Sequence, residues 1–219
     1  MRGATGGSSG QGFLHRAPAL RQFTKGFVLM RILLPAQEAQ LLSVIRPGEP
    51  FGARDRALIR FAIHTGLRSA ELCCLNVGHV FTWDGFPRQW VEVVGKGRKA
   101  RQVPLNWVAR QCVVELVHFN RSRGFAVAGE SPLLVTRCHQ RLPTRSLRDL
   151  IQRYRERADL DVQCSPRTFR HSFASRLADC ASLPVVQASL GHKNLASTQV
   201  YAHVTPAQLV AGVGRLADG

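Results

Sequence analysis

FTWDGFPRQWVEVVGKGRKARQVPL, Phe81 to Leu105, is where the hydrophobic pattern of this chain changes period. On either side of it apolar residues recur at helical spacing. Within it they alternate, which puts successive side chains on opposite faces of an extended strand. The alternation predicts a small antiparallel sheet whose hairpin turns at Gly95 to Lys99. With helices on both sides, the expected class is α+β: a predominantly helical domain with a small antiparallel β-sheet.

Toward the N-terminus, PAQEAQLLSVI (Pro35 to Ile45) predicts a helix with proline in its first turn. RPGEPFG is a loop, and RDRALIRFAIH is a second helix that Thr65 and Gly66 break. SAELCCL restarts a helix at Ser69, so Arg68 falls at a helix N-terminus. Toward the C-terminus, NWVARQCVVELVHFN and SLRDLIQRYRERA are helical. Ser165 and Pro166 then start PRTFRHSFASRLAD, where Phe169, Phe173 and Leu177 recur every four residues as a buried stripe. LPVVQASLG is a short helix ended by Gly191, and the tail TPAQLVAGVGRLA is weakly amphipathic. GATGGSSGQG has linker composition, so residues 1–33 read as a flexible basic arm and 34–219 as one domain.

Thirty Lys and Arg stand against fourteen Asp and Glu in 219 residues, a net charge of +16. Such a balance favours a polyanionic partner, with nucleic acid ahead of acidic membranes or a merely supercharged surface. No apolar run approaches the ~20 residues that cross a bilayer. The six cysteines form no CxxC pair and read as buried free thiols of a reducing compartment, with a metal site or disulfides the minor alternative. No secretory signal is evident, although the basic, acid-free residues 1–37 also fit a transit peptide.

Several basic groups sit at breaks in the periodic pattern: Arg68 in TGLRSAEL, Lys96 in GKGRKAR, Arg167, Arg170 and His171 in PRTFRHSF, and His192 in LGHKN. Each has an ordinary reading: a surface pair of Arg68 with Glu71, an exposed basic turn, two solvated arginines, a structural histidine. GKG lacks the spacing of a P-loop and opens a strand. Arg167 and Arg170, three residues apart, are expected on one anion-seeking face. Taken together, arginines, a lysine, a histidine and Tyr201, with no carboxylate cluster to hold a metal, are what metal-free phosphoryl transfer to a tyrosine requires. Fixed guanidiniums can stabilise the charge that grows on the non-bridging oxygens. Ionising a phenol at pH 7 costs about 4 kcal/mol, which neighbouring cations can offset.

At this point the chain resembles the tyrosine recombinases, the phage integrase family. RDRALIRFAIHTGLRSAELCCLNVGHV is similar to the segment carrying that family's first catalytic arginine, here Arg68, with Glu71 as its supporting acid. VEVVGKGRKARQVPL resembles the β-hairpin of the catalytic lysine, Lys96. SPRTFRHSFASRLAD resembles the HxxR box, with Arg170 the second arginine and Arg167 where the family has histidine. Arginine stays protonated and cannot serve as a base, so Arg167 is expected only to contact phosphate. LGHKNLASTQVYAHV resembles the terminal box, with His192 the second histidine and Tyr201 the nucleophile.

The resemblance runs from about Pro35 to Thr205 and implies a site-specific recombinase that breaks and rejoins DNA through a 3′-phosphotyrosyl intermediate, without cofactor or metal. It implies Arg98, Lys99, Arg101, His171 and Lys193 as DNA contacts, and double-stranded DNA at a specific site as partner. It further implies a homotetramer in synapsis, a monomer or weak oligomer free of DNA, no membrane partner, and a bacterial, nucleoid-associated cytoplasmic location. The family usually carries a helical core-binding domain first, for which residues 1–33 are too short. The rival readings are an impaired DNA-binding accessory or truncated recombinase, and a type IB topoisomerase-like enzyme.

Overall fold

The computed structural model describes residues 32–94, 100–191 and 206–217. Helix α1 (Pro35–Ser43) leads into α2 (Gly52–Thr65), which ends on Gly66 at φ 59°. A β-carbon at Gly66 would lie 2.5 Å from Phe173 Cδ1, so glycine here serves both the left-handed turn and the close approach of the Phe173 ring. Helices α3 (Ser69–Cys74) and α4 (Val77–Val80) precede strands β1 (Trp90–Val94) and β2 (Ala100–Pro104). Next come α5 (Trp107–Ser122), α6 (Thr144–Arg157), α7 (Pro166–Cys180), α8 (Leu183–Leu190) and α9 (Pro206–Gly214), with a 3₁₀ turn at Arg215–Ala217.

The strands pair antiparallel, with Trp90 opposite Pro104 and Val94 opposite Ala100. The expected α+β class is therefore observed, and the pairing brackets the expected turn at residues 95–99, which lie outside the described residues. Val91, Val93 and Val103 form the buried face of the ribbon. Arg101, opposite Val93, points the same way because it lies two residues from Val103.

The core forms where α2 packs on α5 and α7. Leu58, Ile59, Phe61 and Ile63 of α2 are completely buried, as are Val113 and Leu116 of α5. The Phe169, Phe173 and Leu177 stripe is also fully buried; each such side chain contributes about 1.5–3 kcal/mol. Phe173 and Leu177 belong to a second cluster with Val186, Leu190 and Val213, through which α8 and α9 pack on α7. Leu33 joins the main core, and its N–H donates to Ser172 Oγ at 2.7 Å.

Two expectations need correction. Cys73, Cys112 and Cys164 are buried and Cys180 half-buried, but Cys74 and Cys138 are exposed. Cys74 follows Cys73 at the last position of α3, about a quarter turn further round the helix and off its buried face; Cys138 lies in the turn between Val135 and Arg141. Arg167 and Arg170 do not share a surface either. Arg170 is 8% exposed and turned in beside the phenylalanine stripe, whereas Arg167 is exposed.

Candidate active site

Arg68 is the residue at which α3 begins, with extended backbone at φ −70° and ψ 153°. Its N–H donates to Glu71 Oε2 at 2.8 Å, and its Nη1 donates to Oε1 at 2.8 Å. The expected support of Arg68 by Glu71 is thus built into the first turn of the helix, where a carboxylate also meets unpaired N–H groups. The Arg68 side chain keeps 42% of its surface exposed while that of Glu71 keeps 4%.

Arg170, one turn into α7, donates from Nη1 to the Gly66 carbonyl at 2.7 Å and from Nη2 to the Leu190 carbonyl. Arg68 Nη2 reaches the adjoining carbonyl, that of Gly191, at 3.5 Å. The two arginines therefore converge on the C-terminal end of α8, whose last carbonyls have no partner within the helix. Burial first, then the nearby charges of Arg68 and Arg101, lowers the Arg170 pKa to about 10, against the opposing pull of Glu71. Arg170 remains a cation at neutral pH.

A third arginine joins them, one that the sequence does not single out for this role. Arg101 leaves the inward face of β2 and grips Glu71 with both ends of its fork, Nη1 to Oε1 at 2.7 Å and Nη2 to Oε2 at 2.9 Å. The residue expected as a DNA contact is bound, in this structure, to the buried Glu71 carboxylate. Its face is legible in the strand alternation, since Arg101 stands two residues from the apolar Val103. Burial alone would raise the Glu71 pKa, but the hydrogen bonds from Arg101 and Arg68 bring it down to about 2.

Gly191 completes this arrangement. At φ 63° it ends α8, and a β-carbon there would lie 2.5 Å from Arg101 Cδ. The close approach of the Arg101 stem to this turn requires glycine.

Among the other expected residues, Arg167 Nε donates to His171 Nε2 at 3.3 Å. Burial, then Arg167 and Arg170, lowers the His171 pKa, which favours the neutral ring that accepts this bond. Lys96, Arg98, Lys99, His192, Lys193 and Tyr201 lie outside the described residues. The second tyrosine of the chain, Tyr154, is 4% exposed and donates to Asp55 Oδ2 at 2.9 Å. Burial, together with the Asp55 charge, raises its pKa, which keeps that phenol protonated. Among the described residues no group of three His, Cys, Asp or Glu is placed to hold a metal, and no helix is long and apolar enough to cross a membrane.

A helical body with one β-ribbon and two arginines meeting at the end of a helix defines a class that sequence comparison makes specific. Residues 31–208 match the Phage integrase family, and the chain belongs to that family. It is 34% identical over 186 residues to tyrosine recombinase XerC of Pelotomaculum thermopropionicum, covering 83% of this chain and 60% of that protein. To tyrosine recombinase XerD of Shewanella oneidensis it is 33% identical over 181 residues, 81% of this chain and 58% of the relative. Among solved structures, XerA recombinase superposes with a TM-score of 0.61 at 26% identity, over 81% of this chain and 62% of that one. The chain spans about three fifths of the length of these relatives.

Proposed function

We propose that this chain carries the catalytic domain of a site-specific DNA recombinase acting on double-stranded DNA. Tyr201 attacks the scissile phosphate; its oxygen bonds to phosphorus as the bond to the 5′ oxygen breaks. The product is a 3′-phosphotyrosyl link and a 5′ hydroxyl, which later attacks the link on a partner strand. Arg68 and Arg170 hold the non-bridging oxygens, Glu71 orients Arg68, and His192 adds a hydrogen bond. Lys96 protonates the departing 5′ oxygen. Arg167 contacts phosphate, and Arg98, Lys99, His171 and Lys193 touch the duplex. The residues before Leu33, which itself packs in the core, supply a basic arm, and four copies assemble in synapsis.

The observation supporting this most is the convergence of Arg68 and Arg170 on the Leu190 and Gly191 carbonyls. Two segments far apart in sequence thereby bring their guanidiniums together at the end of α8, which supports a role in stabilising a phosphorane. The XerC and XerD relatives are recombinases, which supports the same reading.

The test is covalent capture. The protein is incubated with end-labelled genomic fragments of its source organism, then denatured, and protein-linked DNA is recovered and sequenced. A single recurrent junction linked through Tyr201, and absent with Tyr201→Phe, is the expected result. DNA retained under native conditions but never covalently linked would leave the DNA-binding accessory reading in its place.

A further inference from the structure

Glu71 presents an electrostatic difficulty. A buried carboxylate in contact with Arg68 orients that arginine, but it also cancels the charge Arg68 should present to a phosphodiester. Arg101 resolves this. It meets both Glu71 oxygens at 2.7 and 2.9 Å, whereas Arg68 offers a single side-chain bond of 2.8 Å. The Arg101 side chain is 14% exposed against 42% for Arg68, so the carboxylate's more enclosed counter-ion is the inner arginine, and the outer one, with only a 3.5 Å contact to the Gly191 carbonyl besides, stays open to solvent. Arg101 Nε is buried with no hydrogen-bond partner among the described residues, which leaves Glu71 as the only described anchor of that guanidinium. The stem of Arg101 lies against Gly191, so the same side chain spans the β-ribbon, the start of α3 and the end of α8.

We propose that Arg101 is a positioning residue that neutralises Glu71, leaving Arg68 and Arg170 to face the reacting phosphate with undiminished charge. Three guanidiniums and one carboxylate leave two positive charges, as many as the negative charges that a phosphodiester gathers in its pentacoordinate transition state. Without Arg101 one positive charge remains among these four groups, and Arg68 becomes the carboxylate's main partner. The site then binds a phosphate anion weakly, although both phosphate-facing arginines are still present.

The purpose of this device rests on the proposed phosphoryl transfer, but its test does not need a cleavable site. Inorganic phosphate is titrated into the full chain by ³¹P NMR, counting only the binding component that Arg68→Ala removes. Arg101→Met should weaken that component by about tenfold. Glu71→Gln placed on top of Arg101→Met should restore it to within about threefold, because no charge is then left to neutralise. Arg101→Lys, which keeps the charge, should hold within about threefold of the parent and serves if Arg101→Met does not fold. Unchanged affinity in Arg101→Met, or a double variant no better than the single one, would overturn the proposal by assigning Arg101 a purely structural or direct contact role. Equal losses in Arg101→Lys and Arg101→Met would also overturn it, because geometry rather than charge would then be decisive. Failure of covalent capture with the parent chain counts against the recombinase reading alone.

Discussion

Two buried clusters in this molecule are built from the same chemical parts. In one, Arg54 and Asp55 pair with each other, Arg54 Nη1 donates to the Val135 carbonyl, and Tyr154 donates to the remaining Asp55 oxygen. Arg54 and Asp55 are 6% and 3% exposed. In the other, Glu71 serves Arg68 and Arg101 while Arg170 stands close by, and one arginine remains open to solvent. The first cluster balances one cation with one anion and closes on itself. The second carries surplus cation and opens outward. A closed, neutral cluster locks elements together; surplus positive charge is drawn to the carbonyl end of α8, but the mutual repulsion of its arginines is a structural cost that makes sense where an anion arrives.

The largest expected effect tests the open cluster. Arg170→Lys keeps a charge but loses the fork that spans the Gly66 and Leu190 carbonyls, so the phosphate would meet a misplaced cation. Covalent capture of DNA, measured as the initial rate of adduct formation, should slow by about 10³-fold. A loss under tenfold would place Arg170 among structural arginines like Arg54. The counterpart in the closed cluster is Asp55→Asn, which strands the Arg54 charge in the interior. Chemical denaturation should show a loss of about 3 kcal/mol, with an unchanged adduct rate per folded molecule. Loss of rate without loss of stability there would erase the distinction.

Acid should produce a smaller effect. The folded Glu71 carboxyl ionises near 2 against an ordinary value of 4.5, so the stabilisation it supplies is complete above about 4.5 and disappears as pH falls toward 2. Glu38, whose pKa is lowered by His64 and Arg176 against the opposing effect of burial, adds to the same acid loss. The difference between the parent chain and Glu71→Gln isolates the Glu71 share. Urea midpoints should fall more steeply between pH 5 and pH 3 in the parent than in the variant, and parallel falls would show that Glu71 is not held ionised by its arginines.

Most of this fold is legible in the sequence. Gly66, Gly191, Ser165 and Pro35 mark helix ends, and alternation marks the ribbon, because each of these is a local property of the backbone. The pairing of Arg68 with Glu71 is equally local, a three-residue step on one helix turn. The role of Arg101 is not local. Its partner lies thirty positions earlier on another element, and only tertiary packing brings a basic strand residue onto a buried acid. Arg170 escapes a surface reading for a related reason: the Gly66 and Leu190 carbonyls that draw it inward come from two other segments.

The smallest expected effect separates the two tyrosines of the chain. Tyr154→Phe removes one hydrogen bond to Asp55 Oδ2, whose carboxylate keeps Arg54, so the loss should be about 1 kcal/mol of stability with adduct formation intact. A phenol held protonated by burial and an adjacent carboxylate cannot become a nucleophile, whereas one approached by arginines and a lysine can. The comparison of clusters extends to the tyrosines only through the proposed function: Tyr154 belongs to the balanced cluster, and Tyr201, outside the described residues, is proposed to act with the one of surplus charge. If Tyr154→Phe abolished adduct formation in a folded protein, the assignment of the nucleophile would move with it, and the division between the closed and open clusters would fail.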